Sequence, residues 1–222
     1  MPTIHPIDFA STGLTQYSGF YATVIDDFLT PAECESLEEL ASSSGDWQPA
    51  GLSARGETHS NFRNSDRILV VDADTANMIY DRLRPLVPEL HVLSPDGEWG
   101  SITGRPGKGR RPTWRMVRVN PRLSFLRYGP GHYFKPHCDG LNELLDGPTP
   151  QKSFVTLHIY LNADSTGGAT RFWTSDKKHF LDVEPKIGRV LVFQQRMLVH
   201  SGEEVTDGTK YTLRSDFMFE QV

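Results

Sequence analysis

The chain has 222 residues, with 23 Lys and Arg against 28 Asp and Glu, a net charge of −5, and 37% hydrophobic residues. This excludes a disordered or fibrous chain, and the acidic balance opposes wholesale wrapping of nucleic acid. Cys34 and Cys138 are too few for a disulfide framework. Met1 to Ala10 lacks the pattern of a secretory signal, and no run of about 18 apolar residues follows. The expectation is a reduced, cytoplasmic or nuclear protein that begins close to Met1 and does not contact a membrane.

In chain order, Thr30, Pro31 and Glu33 form a capping box with proline at the first helical position. They predict a helix carrying Leu37 and Leu40 on one face and stopped by Gly45. A second helix is predicted from Asp72 or Asp74 through Met78, Ile79 and Leu83, ended by Pro85 and Pro88. From Ser94 to Pro112 glycines alternate with prolines, which reads as a long loop. Arg105, Lys108, Arg110, Arg111, Arg115 and Arg118 fall in it or just after it. They are either a solvated basic face or a patch for an anionic or extended partner.

After Arg122 the pattern turns strand-like. Leu123 to Arg127, Phe154 to Leu161, Ala169 to Trp173, Phe180 to Val183, Arg189 to Gln194 and Lys210 to Phe219 are short and rich in β-branched and aromatic residues. The predicted class is α+β within one domain. Residues 1–121 form a helical lead-in with substrate loops, and 122–222 form an all-β catalytic core, a sandwich or barrel.

His137-Cys138-Asp139 is the segment with the clearest chemistry. On an extended chain residues two apart share a side, so His137 and Asp139 can address one point while Cys138 faces away and packs as a small hydrophobe. One more histidine would complete a facial set with open positions, and His200, in the strand-like stretch Met197 to His200, is the candidate. Two imidazoles and one carboxylate favour Fe(II) over the all-oxygen site of calcium.

The surroundings of this triplet are Leu126-Arg127-Tyr128-Gly129-Pro130-Gly131-His132-Tyr133-Phe134-Lys135-Pro136, Leu157 to Asn162, Gly167 to Phe172, Val183-Glu184-Pro185 with Gly188-Arg189, and Gly208-Thr209-Lys210-Tyr211 after His200. Together they resemble the prolyl 4-hydroxylase-like branch of the Fe(II) and 2-oxoglutarate-dependent oxygenases, over roughly Leu123 to Phe219. Arg63-Asn64-Ser65 is similar to the Arg-Thr-Ser stretch that borders the substrate groove in some relatives. The resemblance implies a double-stranded β-helix (jelly-roll) core with supporting amino-terminal helices. It also implies Fe(II) held by His137, Asp139 and His200, 2-oxoglutarate as cosubstrate with O2, and a place for ascorbate.

The same resemblance implies a basic anchor for the far carboxylate of 2-oxoglutarate. Lys210 stands where relatives place a lysine, ten residues after the distal histidine, and Arg214, on the same face of the same strand, is its rival. Tyr128, Tyr160 and Thr170 fall where relatives line this pocket, each with a plain alternative as a core residue. His158 shares a face with Tyr160 and is either a cosubstrate contact or a satisfied core histidine. Phe134 stands where relatives often have tyrosine, and His132 is a candidate for the border of the entrance.

The implied reaction is hydroxylation of an aliphatic C–H with release of succinate and CO2, most plausibly on a peptidyl residue such as proline. Arg63, Arg127, Arg171 and Trp173 are the candidate groove residues. A small-molecule oxygenase acting on a free amino acid or natural product is the alternative within the superfamily. A non-catalytic jelly-roll binding module is the alternative outside it. Partners are a peptide, protein or small-molecule substrate, with nucleic acid disfavoured; the sequence leaves oligomeric state open.

Overall fold

Alternation along the carboxy-terminal strands creates two chemically different faces. In the computed structural model, which describes residues 1–50, 61–104, 111–145 and 147–222, twelve strands and two α-helices carry the architecture. We label the strands β1 (Thr3–Pro6), β2 (Ala22–Asp26), β3 (Asp66–Val71), β4 (Trp114–Val119), β5 (Arg122–Tyr128) and β6 (Tyr133–His137). These are followed by β7 (Gln151–Tyr160), β8 (Thr170–Trp173), β9 (Phe180–Val183), β10 (Val190–Gln194), β11 (His200–Gly202) and β12 (Lys210–Gln221). On β5, β7 and β12, Leu123, Phe125, Val155, Leu157, Ile159, Leu213 and Phe217 enter the main hydrophobic core. Their alternates Ser124, Leu126, Tyr128, Thr156, His158, Lys210 and Arg214 line a cavity.

The major sheet runs β1-β2-β10-β7-β12-β5-β3, with β4 pairing the far end of β12, and all these pairings are antiparallel. A smaller sheet, β9-β8-β11-β6 with the two-residue strand Arg63–Asn64 at its edge, is also antiparallel. This is the expected jelly roll. Phe9, Leu14, Tyr17, Tyr160, Phe172, Phe193 and Leu198 form a second apolar cluster. It draws on β7 and β10 of the major sheet and β8 of the smaller one. The cavity, about 330 Å³, is lined from both sheets as well.

The helices brace the major sheet from outside. The first, α1 (Pro31–Ser44), starts at the predicted capping box, with Thr30 Oγ1 accepting from the Glu33 amide at 3.3 Å and Glu33 Oε2 from the Thr30 amide at 2.9 Å. The second, α2 (Ala73–Leu83), is capped by the Asp72 carboxylate. Cys34, Leu37 and Ala41 from α1, and Ala76, Ile79 and Leu83 from α2, pack into the main core. No helix among the described residues is long and apolar enough to cross a membrane.

The segment expected as a helical lead-in also supplies β1 to β4 of the major sheet. These strands hide from a pattern search for a physical reason. β2 is buried at every position, and β3 puts apolar side chains on both faces, so neither shows the alternation of a half-buried strand. In the loop Ser94 to Pro112, Arg111 donates to the carbonyls of Pro95, Gly100 and Gly104 and so ties the loop together, and Arg118 donates to Gln151 Oε1. Arg105, Lys108 and Arg110 lie outside the described residues.

Candidate active site

Strand register brings the three candidate ligands together. β11 pairs with β6 so that His200 stands opposite His137, and Asp139 follows two residues after His137. Their ligand atoms all lie within 4.8 Å of one another. His137 Nε2 is 3.8 Å from Asp139 Oδ1, and His200 Nε2 is 3.7 Å from Asp139 Oδ2. His137 Nδ1 lies 2.8 Å from the Lys135 carbonyl and His200 Nδ1 3.1 Å from that of Leu198. A carbonyl can only accept, so each Nδ1 carries the proton and each Nε2 presents a lone pair to the centre.

The electrostatics favour the same state. Burial, assisted by the neighbouring His200, pushes the His137 imidazole down to about 3. Burial likewise lowers His200, so both rings are neutral near neutrality. Burial alone would raise Asp139, but Arg214 and the two histidines outweigh it and hold the carboxyl below its ordinary range. Phe134, the departure from tyrosine, stacks on the His137 ring with centroids 3.7 Å apart.

Asp139 is held from both sides. Thr156 donates to its Oδ2 at 2.7 Å, and Arg214 Nη2 lies 3.0 Å from its Oδ1. Arg214 also lies 3.4 Å from Asp216, whose carboxylate accepts from Asn142 and Gln195, and Gln195 in turn accepts from Ser153. Thr156 is a residue that sequence reasoning missed, although it shares the strand face of His158 and Tyr160. Outer partners of metal-ligating groups typically contribute about 10–100-fold in metal affinity. Thr156→Val is therefore expected to weaken iron binding by about that factor while keeping the fold, as read by metal titration beside thermal melting.

Deeper in the cavity lies Lys210, 1% exposed. Its Nζ donates to the Gly168 carbonyl at 2.6 Å and sits 4.4 Å above the Tyr128 ring, with no carboxylate partner among the described residues. Burial lowers its ammonium to about 7, opposed by the more distant Glu184 and Glu203. Gly168 has φ +74°, and a Cβ there would lie 2.9 Å from Val205 and 3.2 Å from the Lys210 stem, so only glycine suits this wall. His158 Nε2 is shielded and has no hydrogen-bond partner among the described residues. Burial, then Lys210 and Arg214, keep that ring neutral.

Thr170 lines the cavity, whereas Tyr160 stands behind it and donates to Thr170 Oγ1 at 2.7 Å. Of the candidate groove residues, only Arg63 lines the cavity. Arg127 pairs with Asp66, and Arg171 pairs with Asp182 and Glu203. Trp173 donates to Ser201 Oγ. These three do not line the cavity: alternation turns them away from the metal-facing side, and local acids or hydroxyls engage them. His132 also lies outside the cavity lining. Cys138 is exposed at the cavity edge, not packed as a small hydrophobe, because the chain leaves β6 at His137 and no element among the described residues covers the next residue. Arg67 and Arg122 line the cavity and were missed, Arg67 because its strand was not predicted.

Two imidazole nitrogens and one carboxylate oxygen, open toward a cavity, fit a ferrous ion that keeps positions free for other ligands. A closed structural zinc site would need a fourth protein donor, and no larger cluster of ligating side chains occurs among the described residues. Fold and site thus define a jelly-roll protein whose two histidines and one carboxylate form a set able to hold a metal ion.

Residues 123–215 match the family model of the 2OG-Fe(II) oxygenase superfamily. The chain also superimposes on a Pseudomonas putida prolyl-4-hydroxylase (TM-score 0.59, 19% identity, 95% of each chain). It is similar to the viral collagen prolyl hydroxylase of Paramecium Bursaria Chlorella virus-1 (TM-score 0.54, 20% identity, 89% of this chain and 96% of that one). A third likeness is to a Trichoplax adhaerens prolyl hydroxylase in complex with a hypoxia inducible factor peptide fragment (TM-score 0.58, 17% identity, 95% and 85%). At these identities the likeness concerns the fold. No curated protein matches the sequence.

Proposed function

We propose that this 2OG-Fe(II) oxygenase hydroxylates an aliphatic C–H of a peptidyl residue, with proline the leading candidate. The observation that carries the reading is a cluster of neutral His137, neutral His200 and ionised Asp139 opening on a cavity that also contains a buried ammonium with no carboxylate partner among the described residues. Iron, with 2-oxoglutarate and O2, supplies the oxidising power for hydroxylation, and succinate and CO2 leave. His137, Asp139 and His200 hold the metal, and Thr156 and Arg214 keep the Asp139 carboxylate ionised and oriented. Lys210 binds the far carboxylate of the cosubstrate, since a desolvated carboxylate needs a partner. Thr170, oriented by Tyr160, and Tyr128 shape that end, and the unpartnered His158 Nε2 adds a polar contact beside it. No protein nucleophile is required, because the protein contributes placement and exclusion of water.

The test is mass spectrometry of proline-containing peptides incubated with protein, iron, 2-oxoglutarate and ascorbate. A gain of one oxygen on the peptide supports the assignment, and none across a broad panel sinks it. A pH dependence follows from Lys210. Its ammonium titrates near 7 in the free protein, and a bound carboxylate selects the protonated form, so binding takes up a proton above that pH. The KM for 2-oxoglutarate is expected to be flat below pH 7 and to climb about tenfold per pH unit well above it. Initial rates between pH 6.5 and 9 would show this, and a flat profile would remove Lys210 from the role.

A further inference from the structure

One wall of the cavity carries more positive charge than metal and cosubstrate binding uses. Arg63, Arg67 and Arg122 all line it. β3 pairs with β5 so that Arg67 faces Leu126, Leu69 faces Ser124, and Val71 faces Arg122, which puts Arg67, Leu69, Val71 and Arg122 on one sheet face. Leu69 is 40% exposed and Val71 78%. The result is a shelf about 13 Å long by strand geometry, with an arginine toward each end and exposed aliphatic side chains between them.

The neighbouring acids are already engaged elsewhere. Asp66 points to the other side and pairs with Arg127, while Asp139 and Asp216 hold Arg214. Arg63 spends its Nε on Ser65 Oγ and covers the Phe134 ring at 4.4 Å. Among the described residues neither Arg67 nor Arg122 has a carboxylate partner. Burial lowers the Arg67 guanidinium, and Arg63, Arg122 and Arg214 lower it further, which is the signature of cations crowded without an anion between them.

We infer that this shelf receives an acidic, partly apolar peptide segment flanking the residue to be oxidised, so that the substrate class is an acidic peptide. The inference rests on the oxygenase reading above. Charge complementarity selects the sign of the ligand. The length selects an extended chain, because a free amino acid held near the iron would leave Val71 and Arg122 uncovered.

The test uses proline-containing peptides matched except at the flanking positions, with Glu, Gln or Lys beside Leu and Val. Two readouts run in parallel: succinate release by the iron-loaded protein, and peptide binding by fluorescence anisotropy. The Glu peptide is expected to show a KM and a Kd at least tenfold below those of the Gln peptide. The advantage should shrink with added salt and disappear in Arg67→Gln/Arg122→Gln. Arg122→Glu should shift the preference toward the Lys peptide, an effect that simple misfolding cannot produce. Equal binding of Glu and Gln peptides by the unaltered protein, or a preference that survives the double substitution, overturns the inference. If the charge preference is carried by free glutamate or succinate and not by peptides, the peptide occupant is overturned. Arginine-dependent binding of the Glu peptide without oxygen incorporation supports the shelf while removing the hydroxylation reading, so the two failures are separable.

Discussion

A His137→Ala protein is expected to retain no stoichiometric iron and to lose more than about 100-fold of its 2-oxoglutarate turnover, since even outer partners of metal ligands contribute about 10–100-fold. The size of the effect follows from how completely the ring is committed. Its Nδ1 proton is held by the Lys135 carbonyl, its plane is fixed against Phe134, and its Nε2 lone pair meets no competing donor among the described residues. Alanine removes one of three ligands and leaves His200 and Asp139 as a two-point site. The fold should survive, because His137 ends its strand and belongs to no hydrophobic cluster. Iron content after gel filtration, read beside succinate release and the melting temperature, checks the prediction. An iron-replete variant would show that His137 is not a ligand.

Lys210→Ala should produce the opposite split, with iron retained and the KM for 2-oxoglutarate raised about 100-fold or more. Removing one partner of a buried charge pair costs about 3–5 kcal/mol, and 1.4 kcal/mol is a factor of ten. Lys210 reaches its position on β12 with its stem against Gly168 and its ammonium over Tyr128, so no flexible neighbour can replace it. Without cosubstrate the variant loses a buried cation whose burial is unfavourable together with its bond to the Gly168 carbonyl, two opposing effects, and its stability should change little. A KM that does not move would transfer the anchoring role to Arg214, and the same assay on Arg214→Gln would then show the rise.

Local features were readable from a few residues each. The capping box at Thr30 and the Asp72 cap act through neighbours within three positions, so the starts of both helices needed no tertiary information. The His137 and Asp139 pair is similarly local, because an extended strand forces residues two apart to one side. The strands after Arg122 alternate visibly since one face packs on the helices and the other lines a polar cavity. β2 and β3 lack that contrast, being apolar on both faces, and their place in the sheet depends on long-range pairing with β10 and β5.

Sequence by itself determined the ligand types, the two helices, most carboxy-terminal strands and the side of β12 that bears Lys210 and Arg214. Tertiary structure alone decided which of those two cations has acidic neighbours, because periodicity places them on one face and cannot see across the sheet. Asp139 and Asp216 converge on Arg214, while among the described residues Lys210 meets a carbonyl and a ring and no carboxylate. Tertiary structure also turned Arg127, Arg171 and Trp173 away from the cavity and brought Arg67 and Arg122 to its wall. Which side chain faces a site is set by strand register between segments tens of residues apart, and a one-residue change of register reverses it.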